Sequence, residues 1–404
     1  MKFSKTSQLL LVSALGLLVA TLLSACQIVT IDYVFVASQG TPGASSDGQI
    51  QAFAADSQTG ALRTAGKVVS SGGVDPVSMA VSPDYANLYV ANAGDDTVVH
   101  FAVAIDGTLT AKDTVTLSDA PAAVAVNAAG TYLYVVSGTT SATLTAYPLS
   151  SGTIGTPVSQ MSMTIPGYAG DTVVPTSVTV LDTNATVYAT LYDQSSYNPG
   201  GTTTSNVHPG WIFGFQVGSG GALTPTAGSP YEAGVKPSGV AADPTSRFVY
   251  VTDFASNQLV GYSVMSGGTL TFLLNGPFKT GNEPTAVTVD PRGIYMYVAN
   301  ELDSTVSSYV IDRSTGTPSQ AVNPSGASNN STDTQPVAIG VDPALGRFVY
   351  TANILGNSVS GFRLDPNAGT ITPTQATPYP TNVQRPTALV IVPHGNHAVQ
   401  AVAP

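Results

Sequence analysis

The block Pro284-Thr-Ala-Val-Thr-Val-Asp-Pro-Arg-Gly-Ile-Tyr-Met-Tyr-Val-Ala-Asn300 constrains this chain more than any other stretch. Two short apolar runs, 286–289 and 294–299, flank an Asp-Pro-x-Gly turn. Both runs are rich in β-branched or aromatic residues, so the block reads as a tight β-hairpin. Its leading proline recurs at Pro76, Pro121, Pro175, Pro237, Pro284, Pro336 and Pro386, in steps of 45, 54, 62, 47, 52 and 50 residues. A period of that size, holding two strands with room for two more, specifies a radial array of small sheets.

Other elements recur in step with it. The second strand returns at Phe35–Ser38, Leu88–Asn92, Leu133–Val136, Val187–Thr190, Val249–Thr252 and Val349–Asn353. A third strand follows with one aromatic at a matching position: Phe53, Phe101, Tyr147, Phe215, Tyr262, Tyr309 and Phe362. Turns such as Gly107-Thr-Leu109 and Gly268-Thr-Leu270 then open a fourth strand. Seven copies predict an all-β, seven-bladed propeller of four-stranded antiparallel blades, so 404 residues make one repeat domain rather than two or three. On the first strand, large side chains (Val287, Val289) alternate with small ones (Ala286, Thr288), as packing near a crowded axis requires. The chain opens on a second strand and supplies a first strand only at its far end. Residues 387–391 are therefore expected to pair with residues 33–37 and leave no free sheet edge. Residues 397–401 look like an eighth second strand with no place in this ring.

Composition narrows the class of partner. Charged residues are 9% of the chain and the formal charge is −11, which argues against a nucleic-acid phosphate backbone as partner. A single cysteine excludes internal disulfides and thiolate metal clusters, and no cofactor motif is present. Lys2 and Lys5 precede an apolar run from Leu9 to Leu23, followed by Leu23-Ser24-Ala25-Cys26. Residues 1–25 therefore read as a signal peptide, 26–30 as a lipidated tether and 31–404 as the propeller. The Leu-x-x-Cys ending resembles the bacterial lipobox, which implies acylation at Cys26 and a place on the periplasmic or extracellular side of the cell envelope. Loss of Lys2 and Lys5 takes the formal charge to −13.

The repeated P-x-x-V-x-V-x-P-x-G-x-x-x-Y-V-A-N pattern resembles the YVTN and lactonase-like seven-bladed β-propellers over about residues 31–393. Pro230-Tyr231, Pro277-Phe278 and Pro378-Tyr379 are similar to the Ser-Pro-Phe element of secreted bacterial members. The resemblance implies the fold and, as an activity, hydrolysis of lactones of the 6-phosphogluconolactone or muconolactone type. Fold likeness alone does not carry function.

The chemistry-bearing residues are sparse. A phosphosugar lactonase needs several cations for the phosphate, and the chain without its leader has only 11 basic residues. Arg247, Arg292 and Arg347 fall in or beside first-to-second-strand turns, where they read as solvated turn residues. His394 and His397 flank a Gly-Asn turn and are expected to face solvent; His100, on a third strand, reads as a packing residue. Asp95, Asp96 and Asp303 on second-to-third-strand loops are the weakest, metal-assisted alternative. The long segments 38–48, 161–174, 191–210 and 323–334 all emerge on one face, which marks it as the working face. There the residues preceding the seven prolines form a ring: Asp75, Ala120, Val174, Lys236, Glu283, Gln335 and Arg385. Lys236 is expected beside Glu283 and Arg385 beside Asp75. With Tyr192, Tyr197 and His208 from the longest loop they make a polar half-collar for a small ligand. The residues favour an envelope module that binds a small polar molecule or another envelope protein. The alternative is a lactone hydrolase using Glu283 and Lys236. Replacing the one cysteine, Cys26→Ser, is expected to move the protein from the membrane fraction to the soluble envelope fraction with its fold unchanged, as membrane fractionation after a salt wash will show.

Overall fold

The computed structural model describes residues 29–39, 48–165, 167, 172–196 and 208–394. They form seven antiparallel sheets arranged as blades around an axis. Blade 1 joins the C-terminal strand Pro386–Pro393 to Thr30–Ser38, Gln49–Asp56 and Leu62–Ser70. Blades 2 to 7 follow in chain order, opening on the inner strands Pro76–Val81, Pro121–Val126, Val173–Val180, Pro237–Ala242, Pro284–Val289 and Pro336–Val341. The expected closure is present: Val34 faces Ile391, Val36 faces Leu389 and Ala37 faces Ala388. The first strand begins at Thr30, one residue earlier than the sequence suggests.

The outer edge departs from four continuous strands per blade. In blades 3 to 7 the fourth strand is split, as in Leu270–Phe272 and Phe278–Lys279, which both pair with Gln258–Val264. In blades 4, 5 and 7 the second piece carries the aromatic of the Pro-Tyr or Pro-Phe element. In blade 7 that aromatic, Tyr379, is buried and its hydroxyl lies 2.7 Å from Thr374 Oγ1. The long segments on the working face are correspondingly shorter than expected, because Ser159–Met163 and Asn329–Ser331 are strands.

The hairpin block folds as it does because its polar residues cap their own turn. Asp290 is buried, and its Oδ1 accepts the N–H groups of Ile294 and Tyr295 at 2.7 Å each. Asp243 does the same for Arg247 and Phe248. These short first-to-second-strand turns, with the third-to-fourth turns, form the base of the propeller. The prolines and the second-to-third loops form the opposite face, the mouth.

Blade junctions are built from the tyrosine of the repeat. Tyr89, Tyr188, Tyr250, Tyr297 and Tyr350 are fully buried. Their hydroxyls donate to the carbonyls of Gly152, Gly268, Gly316, Gly369 and Gly60 in the next blade at 2.7–3.0 Å. The last of these bonds, Tyr350 to Gly60, crosses the closure. Glycine is required there: Gly369 has φ 71°, and a Cβ on it would lie 2.3 Å from the Tyr295 ring. Directly across the strand from these tyrosines stand small residues such as Gly214, Gly261 and Gly361. Blade 2 carries His100 instead, stacked on Tyr89 with ring centroids 5.2 Å apart.

One group on the strand Thr30–Ser38, beside the closing strand, is unfavourably placed. Asp32 is fully buried, and among the described residues neither of its oxygens has a hydrogen-bond partner. Burial, with Asp342 nearby, pushes its carboxyl up from 3.8 to about 9. The folded protein thus holds a proton that the unfolded chain releases, so stability falls as pH rises from about 4 toward 9. Asp32→Asn is expected to raise the melting temperature at neutral pH and to flatten its decline with pH. Thermal unfolding across that window measures both.

Candidate functional site

The site is assembled at the mouth by a repeated backbone pattern. In six of the seven blades the residue before the leading proline gives its carbonyl to the residue that follows the second strand of the same blade; in blade 4 Val174 lies within its strand, facing Tyr192. Thus Phe254 N–H bonds Lys236 O, Glu301 bonds Glu283, Ile354 bonds Gln335, and Ala93 bonds Asp75, at 2.8–2.9 Å. The expected ring therefore has a companion ring tied to it, to which Phe254, Glu301, Ile354 and Gln39 belong.

Side chains hold the first ring in place. Buried Asp253 accepts the N–H groups of Val235 and Lys236 at 3.1 and 2.9 Å. Asn257 and Asn357 accept those of Glu283 and Arg385, both at 2.7 Å. Asp75, Glu283, Gln335 and Arg385 all adopt left-handed backbone conformations, φ 52–58°. For residues with a Cβ this costs about 1 kcal/mol or more each, so the surrounding hydrogen bonds must over-determine it. Strain of this kind gathers where a fold sets side chains for a task rather than for stability.

Lys236 is the centre of the arrangement. Its Nζ lies 3.8 Å from the centre of the Phe254 ring and 5.6 Å from that of Tyr192. Burial lowers its pKa from the ordinary lysine value, against the opposing pull of Glu301 and then Glu283. Glu301 is shifted the other way: burial and the Glu283 charge raise its pKa, and Lys236 offsets them only in part. Both groups are thereby brought toward neutrality, the direction in which proton transfer and carbonyl polarisation operate near physiological pH.

His208 stands at the edge of the same mouth. Its Nδ1 is 2.6 Å from Oδ2 of Asp193, which is fully buried and also accepts from the Ser195 and Ser196 hydroxyls. Burial pushes the Asp193 carboxyl up, but the Ser195 hydroxyl and N–H and His208 outweigh it and leave the pKa below the ordinary value. The imidazole is thus oriented by a carboxylate that stays ionised.

Below the mouth an axial channel of about 200 Å³ runs between the inner strands, lined by small and hydroxyl-bearing residues such as Ser78, Ser177, Ser238 and Thr285. Most of those hydroxyls stitch blades together: Ser238 donates to Pro284 O at 2.6 Å and Thr285 to Pro336 O at 3.0 Å. The charged groups lie at the rim.

The sequence-derived residues fall out unevenly. Lys236, Glu283, Tyr192 and His208 gather on blades 4 to 6. Lys236 and Glu283 feel each other's charge but make no contact ion pair among the described residues. Arg385 and Asp75 do not pair either. The Arg385 Nε reaches Gln39 Oε1 at 3.2 Å, and Asp75 Oδ1 is buried with no partner among the described residues. The reason is the second ring, which places Gln39 within reach of the guanidinium. Tyr197, His397 and Cys26 lie outside the described residues.

Several other expectations are amended. His394 is half-buried, its ring 5.5 Å from that of Tyr33, rather than facing open solvent. His100 bonds Asp113 at 2.6 Å and Asn87 at 2.8 Å at the junction of blades 2 and 3. Arg247, Arg292 and Arg347 lie on the base, each over a neighbouring aromatic ring. Asp303 holds the backbone N–H and the side-chain amide of Asn282, and Asp95 accepts from Thr97. Among the described residues no three acidic, histidine or cysteine side chains converge as a metal site.

Glu301, Phe254 and Asp193 were not singled out from sequence. The signal for them was available: Asp193 ends a second strand, and Glu301 and Phe254 directly follow the Asn or Asp that ends one.

Comparison with known proteins agrees with this architecture. The periplasmic gluconolactonase PpgL of Pseudomonas aeruginosa superposes with TM-score 0.70 at 18% identity, over 90% of this chain and 99% of that one. A Bacteroides fragilis protein named as a candidate 6-phosphogluconolactonase gives TM-score 0.70 at 17% identity, over 89% and 98%. A Lactobacillus plantarum protein gives 0.67 at 17%, over 90% and 99%. No curated protein matches the sequence. The family described as lactonase, 7-bladed β-propeller, matches residues 47–169 and 223–402, and the chain belongs to that family.

Proposed function

We propose that this protein is a lactone hydrolase of the cell envelope, held to the membrane by lipid at Cys26, with its active site at the channel mouth. The observation that carries the reading is the pairing of Lys236, depressed by burial against Phe254 and Tyr192, with Glu301, raised by burial beside Glu283. Two titratable groups pushed toward each other's range at one rim are what acyl transfer to water requires. Membership of a lactonase family and likeness to a periplasmic gluconolactonase support the reaction class and the compartment.

In the proposed reaction Glu301 takes a proton from water as the water oxygen adds to the lactone carbonyl. The Lys236 ammonium stabilises the oxyanion that forms. Collapse of the tetrahedral intermediate breaks the ring C–O bond, and the leaving oxygen takes its proton back from Glu301. The net change is lactone plus water to the open hydroxy acid. Asp193 and His208 would orient the ring hydroxyls of a sugar from the neighbouring blade.

The rim also suggests the substrate. Among the described residues its ring carries two cations, Lys236 and Arg385, which belong to blades 5 and 1, on different sides of the ring, and Glu283, Glu301 and Asp75 stand among them. A phosphate dianion needs several convergent cations, so the reading favours an unphosphorylated aldonolactone.

Hydrolysis of glucono-δ-lactone by the wild type, with no preference for its 6-phosphate, is the expected result. Glu301→Gln should lower kcat by about 10²–10⁴, the usual worth of a general base. Lys236→Met should lower it by about 10²–10³, as loss of an oxyanion partner does. Absence of turnover in folded wild type would overturn the hydrolase reading.

The pH profile gives an independent check. Activity should rise with pH as Glu301 ionises, with that limb above the ordinary glutamate range, because its pKa is raised. It should fall as Lys236 deprotonates, with that limb below the ordinary lysine range, because its pKa is lowered. A profile lacking both displaced limbs would count against these assignments.

A further inference from the structure

We infer that Asn257 is a positioning residue, and that the loop 254–257 is a spacer that sets the separation between Lys236 of blade 5 and Glu283 and Glu301 of blade 6. Its role in catalysis rests on the hydrolase reading of the mouth, whereas the spacing itself does not.

The loop is short and closed at its base. It joins the second strand of blade 5, Phe248–Asp253, to the third, Gln258–Val264. Asp253 pairs with Gln258, whose side-chain amide donates to the Asp253 carboxylate at 3.0 Å. Each end of the loop then grips one side of the charged group. At the first end Phe254 N–H bonds Lys236 O at 2.9 Å, and the Lys236 Nζ lies 3.8 Å from the centre of the Phe254 ring. At the other end Asn257 Oδ1 accepts the N–H of Glu283 across the blade junction at 2.7 Å, and the Asn257 carbonyl accepts that of Thr280 at 3.2 Å. The Glu283 carbonyl in turn accepts the N–H of Glu301 at 2.9 Å, so the hold on Glu283 extends to Glu301.

Residue type fits the task. Asn257 has φ 56°, a left-handed conformation that asparagine tolerates better than most residues. Glu283 has φ 52° and precedes Pro284, where extended backbone is preferred. Loss of the Asn257 acceptor removes a bond that opposes relaxation of Glu283 toward the extended region. The device recurs at the next two junctions: Ser304, φ 52°, accepts Gln335 N–H on its Oγ at 3.2 Å, and Asn357, φ 48°, accepts Arg385 N–H at 2.7 Å. Between blades 5 and 6 the same loop also carries the ring on which Lys236 rests.

The groups around the pair give the spacing a signature. Tyr192 of blade 4 lies 5.6 Å from the Lys236 Nζ, Asp253 accepts the Lys236 N–H, and Asp303, in the loop of Glu301, holds Asn282. Burial lowers the pKa of Lys236 and raises that of Glu301, while the Glu283 charge raises both. Displacing Glu283 therefore moves both groups to lower pH, whereas water entering the site would move them in opposite directions.

The test compares Asn257→Gly, which keeps the left-handed backbone and deletes the acceptor, with Asn257→Ser, which supplies the hydroxyl that serves at Ser304. Lys236 is titrated by carbon NMR of the reductively methylated protein, its signal identified by its loss in Lys236→Met. Asn257→Gly should titrate at lower pH than wild type and Asn257→Ser close to it. Asn257→Ala, which loses the same acceptor, should shift Lys236 in the same direction. In a Glu283→Gln background Asn257→Gly should add no further shift. An unshifted or raised Lys236 in the folded glycine and alanine variants, no recovery in Asn257→Ser, or an equal shift in the Glu283→Gln background would each overturn the assignment. With glucono-δ-lactone as substrate, Asn257→Gly should lower kcat by up to about 10²-fold, the cost of a displacement near ~1 Å, and move both limbs of the pH profile to lower pH. A profile that widens instead would likewise overturn it. Wild type that hydrolyses no lactone would overturn the hydrolase reading alone, and the lysine titration would still decide the spacing.

Discussion

A tyrosine hydroxyl held against a glycine carbonyl of the next blade is the contact on which the ring depends. It joins the second strand of one sheet to the outer turn of its neighbour at five junctions, the closing one included. Each bond is worth only about 1 kcal/mol net. Its importance lies in geometry, because a buried hydroxyl left unmatched costs more than the bond contributes, so only one blade-to-blade angle satisfies every tyrosine. Tyr134 shows the cost in place: its hydroxyl is buried with no partner among the described residues. The small residues across the strand from each tyrosine, and the positive-φ glycines that receive the rings, follow from the same requirement.

A ring closed this way can tolerate strain at its mouth. Four non-glycine residues there adopt left-handed conformations, and each is bracketed by a leading proline on one side and a captured N–H or carbonyl on the other. A chain so poor in charge gathers a lysine, two glutamates and an Asp–His pair on blades 4 to 6 of that rim. The mouth is thus a place where burial can shift ionisation without unsettling the core, because the blades beneath it are already fixed by apolar packing and the tyrosine bonds. The base is arranged otherwise: its carboxylates cap their own turns, with arginines beside them.

Much of the fold was legible because its determinants are local and repeated. The alternation of large and small residues on inner strands and the single third-strand aromatic each recur seven or nearly seven times, and an Asp-Pro turn opens at Asp243, Asp290 and Asp342. The site was legible only in part. Lys236, Glu283 and Arg385 were readable from their place before a proline, yet their partners were not. Gln39 intercepts Arg385, and Glu301 faces Lys236, because a carbonyl bond brings the residue after each second strand up beside the ring. His208 and Asp193 are 15 residues apart and meet only because a long loop returns to its own strand.

By itself the sequence determined blade number, strand order, closure and the face on which long loops gather, since each follows from period, turn chemistry and chain direction. Tertiary structure alone decided which charges meet and which ionise. Burial and neighbouring carboxylate charge raise Glu301 and Asp32, while burial lowers Lys236 against the pull of its glutamates. Those quantities depend on distances between blades that are remote in the chain, and no local pattern encodes them.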